Sequence, residues 1–283
     1  MVTSSAAGRR FDEKAALVTG GGSGIGLACA RLLAEEGAAV TICGRSEERL
    51  AKGAEEIGHG CRFVVADVTD EAKVADAVSF AREVTGALDV IVANAGATEA
   101  LGPLALVEVE AFERDLRLNV IGTFITIKQG APALAAAGGG AIVAMSSIAG
   151  TLTHPLMGPY STSKAGLDML VRNAADELGP YGIRVNAVKP GLVPTDASNP
   201  LATNEATRAD YLAQMPLGRL GTVDDIAGAV AFLAGPDSTW ITGQCLGVDG
   251  GHALRRGPDL GGLVGSYFDD LVAERFSSGP ESP

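Results

Sequence analysis

The 283-residue chain predicts an α/β fold: one domain built on a doubly wound parallel sheet of seven strands, with helices on both faces. Three observations predict it. Short apolar, β-branched runs alternate with longer stretches of helical periodicity along most of the chain. The runs lack polar alternation, as expected of strands covered on both faces. A glycine-rich turn, GGGSGIG, joins the first run to the first helical stretch. Alternation of this kind implies parallel strands linked by right-handed crossovers.

The elements follow in order. AALV (15–18) is the first strand, and LACARLLAEEG (27–37) is helical. AVTIC (39–43) precedes SEERLAKGAEEI (46–57), which Ser46 opens as an N-cap. RFVVA (62–66) precedes DEAKVADAVSFAREVTG (70–86). DVIVA (89–93) precedes a loop and one long helical stretch from about Glu108 to Ala137. GAIVAMS (140–146) precedes a loop and a helix holding Tyr160. IRVNAV (183–188), another loop and VDDIAGAVAFLAG (223–235) come next, and QCLGVDGG (244–251) closes the pattern. Residues 1–10 read as a flexible start and 11–252 as the domain. Residues 253–283 are an extension in which YFDDLVAERF can form a short helix.

Composition narrows the function. The formal net charge is -12, with no basic stripe for phosphates, which argues against a nucleic-acid partner. The four cysteines, Cys29, Cys43, Cys61 and Cys245, lie far apart in apolar runs and show no zinc spacing, so buried free thiols and no metal are expected. The N-terminus lacks the apolar core of a signal peptide, and no apolar run reaches membrane-spanning length. A cytoplasmic protein without a membrane partner is the expectation.

Three sites carry chemistry. In LVTGGGSGIGLACA, Gly20 can turn sharply, Gly24 permits close backbone approach and Gly26 lets the helix pack on the sheet. The helix N-terminus then offers amides to a pyrophosphate, the logic of a Rossmann-like dinucleotide site. A purely structural glycine turn is the competing reading. At the end of the second strand, where an NAD site often places an acidic residue, Gly44 and Arg45 stand instead. Arg45 can pair with a 2′-phosphate, which favours NADP over NAD, or it is a solvated loop charge. Finally, YSTSKAG sets Tyr160 and Lys164 one helical turn apart on one face. A cation near a phenol favours phenolate and lowers its pKa from about 10 towards neutrality, giving a usable proton donor and acceptor. The alternative is a surface helix with an incidental Tyr and Lys.

Taken in order, TGGGSGIG (19–26), ADVTD (66–70), ANAG (93–96), LNVIGTF (118–124), MSSIAG (145–150), YSTSK (160–164), VKPGLVPT (188–195) and VDGG (248–251) resemble the short-chain dehydrogenase/reductases from about Phe11 to His252. The resemblance implies an NAD(P)-dependent enzyme acting on a small-molecule carbonyl or secondary alcohol. It makes Tyr160 the general acid and base. Lys164 tunes it and holds the nicotinamide ribose, Ser147 rather than Ser146 polarises the substrate oxygen, and Asn119 interrupts its helix to hold a relay water. It assigns the cofactor Gly20, Ser23, Gly24, Ile25 and Gly26 in the first loop. Asp67 and Val68 flank the adenine, and Asn94, Ala95 and Gly96 lie at the sheet centre. Pro190, Gly191, Val193 and Thr195 lie by the nicotinamide. Two features depart from the family. Ser23 stands where many NADP-dependent members carry Arg or Lys, so NAD remains possible. The extension past VDGG has no family role.

His154 either lines the substrate pocket or is a satisfied loop histidine. Leu152, Met157, Val193 and the segment from Ala197 to Leu217 lack clustered cations, which points to a neutral, moderately apolar ketone or alcohol. A homotetramer is expected. The resemblance implies interfaces at the long helices and at the last strand. The apolar VDDIAGAVAFLAG helix asks for cover on a second face. Leu263, Val264, Tyr267, Phe268, Leu271 and Val272 suggest a tail packed across a subunit boundary near a neighbour's substrate entrance, with a tail folded onto its own subunit as the alternative. The competing functions are an NAD-dependent alcohol dehydrogenase and a cofactor-binding regulator without turnover.

Overall fold

Strands form where the apolar runs lie: β1 (Ala15–Thr19), β2 (Ala39–Gly44), β3 (Arg62–Val65), β4 (Val90–Ala93), β5 (Gly140–Met145), β6 (Ile183–Pro190) and β7 (Cys245–Val248). The computed structural model describes residues 9–255 and 260–277, so most of the start assigned as flexible (1–10) lies outside the described residues. The strands pair in parallel in the order β3-β2-β1-β4-β5-β6-β7.

Strand side chains alternate between two apolar layers. Ala16, Val18, Val92 and Val143 face α1 (Gly24–Glu35), α2 (Glu47–Ile57) and α9 (Val223–Ala234). Their neighbours Ala15, Leu17, Ile91 and Ile142 face α3 (Glu71–Arg82), α5 (Gly122–Ala136) and α6 (Gly158–Leu178). The sheet is therefore the Rossmann-like, doubly wound one that the sequence predicts. Strand order reverses between β1 and β4, where the crevice at the carboxyl ends is the ligand position of such folds.

Helix ends are set locally. The Ser46 hydroxyl accepts from the Arg49 amide, and Asp70 accepts from Ala72 and Lys73. Thr222 and Asp225 form a reciprocal capping box on α9. The Arg184 guanidinium closes its other end by donating to the carbonyls of Leu233, Ala234 and Gly235.

The structure corrects or refines several expectations. The stretch from Glu108 to Ala137 is helical and is interrupted at Asn119, as the resemblance implied. α4 (Val109–Leu116) and α5 are joined by a π turn over Arg117–Ile121 that contains Asn119. The segment after β6 holds two further helices, α7 (Asn199–Thr203) and α8 (Glu205–Gln214), the second capped by Asn204 on Thr207. The second apolar side of α9 packs on α1 of the same chain. Cys29 and Cys43 are buried, but Cys61 and Cys245 are only half-buried. In the extension, α10 (Ser266–Ser277) lies against loops of its own chain. Gly102, at φ +151, has no Cβ to block the Phe268 ring, which would meet one at 3.2 Å. A groove of about 440 Å³ separates this helix from Pro103, Pro155 and Leu156.

Candidate active site

The turn after β1 is shaped as an anion cradle. Gly20 and Gly24 adopt φ of +65 and +54, which L side chains rarely tolerate. A Cβ at Gly26 would sit 2.3 Å from the Gly20 carbonyl oxygen, so only glycine lets α1 start this close to the sheet. Ser23 precedes α1 without capping it through its side chain, which leaves the first amides of the helix for an incoming anion. Ile25 packs half-buried on the layer below. Thr195, on the loop after β6, closes over Gly24, with Cγ2 3.3 Å from a Cβ placed there.

β1 and β4 are tied together at their carboxyl ends. The Thr19 hydroxyl accepts from the amides of Asn94 and Ala95, each at 3.0 Å. The Asn94 side-chain amide donates to the carbonyls of Thr19 and Gly20. Two side chains converge beside Gly96: a Cβ there would lie 2.6 Å from Asn119 Oδ1 and 3.3 Å from Lys164 Nζ. Asn119 is held by Ala97, donating to its carbonyl at 2.8 Å and accepting from its amide at 3.1 Å. Its Nδ2 also donates to Ser163 Oγ, which in turn donates to the Tyr160 carbonyl.

Ser147 follows β5, and its hydroxyl accepts from the Ala149 amide at 3.1 Å. Ser146 turns away and donates to Asp168 at 2.5 Å. Tyr160 and Lys164 share one face of α6, with the Lys164 Nζ 5.5 Å from the phenol ring centroid. That nitrogen donates to the Met145 carbonyl at 2.7 Å. Here the expected electrostatics need correcting. Burial pushes the Tyr160 phenol above its ordinary value, outweighing a hydrogen bond with Ser147 that lowers it, and Asp115 pushes it up as well. Burial also drives Lys164 down to about 8, against the pull of Asp168 and Asp115. With its ammonium desolvated and donating to a carbonyl, Lys164 does not bring the phenol towards neutrality here.

The remaining candidates ring this centre. Arg45 is exposed at the end of β2. Burial works to raise the Asp67 carboxyl, but hydrogen bonds from Thr69 and the charges of Arg45 and Arg117 hold it below its usual range. Val68 is buried against Gly122. Pro190 ends β6, and Gly191 donates to the Val248 carbonyl, pressed so close to Asp249 that a Cβ would lie 3.0 Å from its Cα. Val193 is buried, and its carbonyl accepts from Ser198. His154 is buried with Nδ1 3.0 Å from the Leu152 carbonyl, and burial lowers its pKa.

A family model described as Enoyl-(Acyl carrier protein) reductase matches residues 20–253. A cis-4-hydroxycyclohexanecarboxylate dehydrogenase from Sinomonas cyclohexanicum is 42% identical over 247 residues, covering 87% of this chain and 98% of its own. Dehydrogenase/reductase SDR family member 4 of Rattus norvegicus is 36% identical, over 86% of this chain and 88% of its own. A solved short-chain type dehydrogenase/reductase from Mycobacterium ulcerans superposes with a TM-score of 0.89 at 39% identity, covering 91% of this chain and 96% of the other. The chain belongs to the short-chain dehydrogenase/reductase family. It is an NAD(P)-dependent oxidoreductase acting on CH–OH and C=O groups, with a small-molecule substrate.

The cradle at Gly20–Gly26, with its uncapped amides and missing Cβ atoms, fits the dinucleotide that short-chain dehydrogenase/reductases use. Several groups around it were not singled out by sequence reasoning. Thr19 and Ser163 are small hydroxyls inside motifs whose other members draw attention. Asp168 and Lys189 form a buried ion pair of 2.7 Å behind Tyr160, with Thr151 also on the Lys189 nitrogen. Their signal was a lone charge in each of two apolar runs, AGLDML and NAVKPG. Tyr211 of α8 is buried, packs its ring on His252 with centroids 5.4 Å apart, and acts electrostatically with Tyr160.

Proposed function

We propose that this enzyme transfers a hydride between NADP(H) and a carbonyl or secondary alcohol, with Tyr160 as general acid and base. The observation that carries the reading is that Asn119 and Lys164 meet beside Gly96, at the strand-order reversal and next to the glycine cradle, while Tyr160 lies against Lys164 and bonds with Ser147. When bound, the nicotinamide supplies or takes up the hydride. Ser147 and Tyr160 are neutral donors that meet the negative charge growing on the substrate oxygen, and Tyr160 gives up its proton there. Burial keeps the phenol protonated, so it enters the carbonyl direction as the group that holds the proton. The proton that Tyr160 gives up is replaced from solvent in this reading, with Lys164 and Asn119, which meet beside Gly96, on the path. Gly20, Ser23, Gly24, Ile25, Gly26, Asp67, Val68, Asn94, Ala95, Gly96, Pro190, Gly191, Val193 and Thr195 form the cofactor surface in this reading. A cofactor-binding regulator would have no use for the four polar groups at Tyr160, Ser147, Lys164 and Asn119.

Arg45 supports the choice of NADP. It is exposed at the end of β2, where Gly44 leaves no carboxylate to take an unphosphorylated ribose. Arg45→Ala is expected to lose about 1.5–3 kcal/mol of NADPH binding, the scale of a charged hydrogen bond, while NADH affinity barely moves. Fluorescence titration of both nucleotides checks this. Wild-type protein that prefers NADH would overturn the assignment and leave NAD as the cofactor.

The substrate in this reading is a ring or chain secondary alcohol or its ketone. The Sinomonas relative, by its name, acts on a hydroxyl carried by a cyclohexane ring. The cysteines are free thiols, which suits the cytoplasm.

A homotetramer completes the reading, on different grounds from α9. Phe124 on α5 and Met169 on α6 remain 43% and 52% exposed, and Trp240 before the edge strand β7 is 99% exposed. A second copy is the natural cover for such apolar positions and for the open edge. Light scattering should give four times the chain mass, and Met169→Glu should reduce it. A monomeric wild-type protein would remove the assembly from the account.

A further inference from the structure

We propose that Asp115 is a positioning residue for the Tyr160–Lys164 pair and for the loop that follows β4, a role that rests on the reading of Tyr160 as acid and base. Asp115 lies on α4, four residues before Asn119, and the two side chains hold consecutive points of one segment. Asn119 clamps Ala97 through both its amide and its carbonyl. Asp115 Oδ1 accepts from the Glu99 amide at 2.8 Å. Downstream, the same loop passes Gly102, which abuts Phe268 of α10. It then reaches Leu104, whose Cδ1 lies 2.8 Å from a Cβ placed at Gly158, at the start of α6. The clamps therefore set a segment that runs between the candidate active site and the tail.

A clamp alone does not call for a carboxylate. Asparagine would accept the same bond from Glu99 without placing an ionisable group in the interior. Asp115 is nevertheless 0% exposed, and beyond the Glu99 amide only the backbone of Ala100 acts on it, with no hydrogen bond of good geometry at Oδ2. A buried and half-satisfied carboxylate is costly, and such groups concentrate where charge does something. Here α4 packs directly on α6, the helix of Tyr160 and Lys164. The Asp115 charge raises the pKa of both. Other charges face the cluster. Burial and the Glu99 charge push Asp115 up, while hydrogen bonds from the Glu99 and Ala100 backbone and the charge of Arg114, paired with Glu99 at 3.3 Å, pull it down. Asp168 acts on Lys164 from one turn further along α6, and Tyr211 acts with Tyr160 from α8. Asp115 thus keeps the phenol protonated and the ammonium charged to higher pH.

The test is a tyrosinate absorbance titration, with Tyr160→Phe subtracted so that only Tyr160 is read. It needs no turnover, so a protein that proves inactive on every substrate still answers it. Asp115→Asn retains the loop clamp and removes the charge. Its Tyr160 midpoint should fall by about one pH unit, the scale of one nearby charge. The pH–rate profile should move acidward with it as a coupled unit, with KM within about twofold of wild type. Asp115→Ser, a second neutral variant, should move the midpoint the same way and also raise KM, since the clamp is lost. Asp115→Glu should return the midpoint towards the wild-type value. A midpoint in Asp115→Asn or Asp115→Ser that superimposes on the wild type would overturn the proposal.

Discussion

Tyr160→Phe is expected to reduce turnover by about 10²-fold or more while NADPH affinity stays within about twofold of wild type. The variant retains the ring that fills the space beside Lys164 and loses only the hydroxyl that bonds with Ser147. Cofactor contacts at the Gly20–Gly26 cradle lie on other elements and are untouched. The loss should fall on kcat more than on KM, because the hydroxyl matters most as charge develops on the substrate oxygen. Steady-state rates beside a nicotinamide fluorescence titration separate the two effects.

Lys189→Met should cost about 3–5 kcal/mol of stability, the range for breaking a buried ion pair by removing one partner. The Lys189 and Asp168 side chains are 9% and 6% exposed and 2.7 Å apart, so the abandoned carboxylate finds no water. Ser146 still donates to it, which softens the loss without neutralising the charge. Adding Asp168→Asn should recover most of the stability, since the uncompensated charge is then gone and Ser146 retains an acceptor. Urea midpoints at constant m-value check both variants. Equal midpoints for wild type and Lys189→Met would mean that the pair contributes nothing to the fold.

The strands were legible because each is an uninterrupted apolar run, and runs such as DVIVA leave little else to form. The glycine cradle was legible because positive φ at Gly20 and Gly24 restricts the residue type there. What sequence hid was mostly the outcome of pairings between distant segments. A helical pattern across Asn119 gives no sign of the π turn, which accompanies the hold of Ala97 on its side chain from 22 residues away. The apolar second side of α9 reads as an interface until α1 is seen covering it. Asp168 and Lys189, 21 residues apart, meet only because α6 packs on β6. The direction of the Tyr160 shift was misjudged for a similar reason. Spacing shows that Lys164 is near, but not that burial sets the direction of the phenol's shift or that the Lys164 ammonium donates to the Met145 carbonyl.

The central claim is that Tyr160 moves the proton in a nicotinamide-dependent reaction on a carbonyl or alcohol. The most direct test is a side-by-side assay of wild type and Tyr160→Phe on a panel of ring ketones and their alcohols, following nicotinamide absorbance with NADPH and NADH. The account predicts turnover by the wild type on at least one pair, faster with NADPH, and a loss of about 10²-fold or more in the variant at unchanged cofactor affinity. A variant that turns over at the wild-type rate would contradict it.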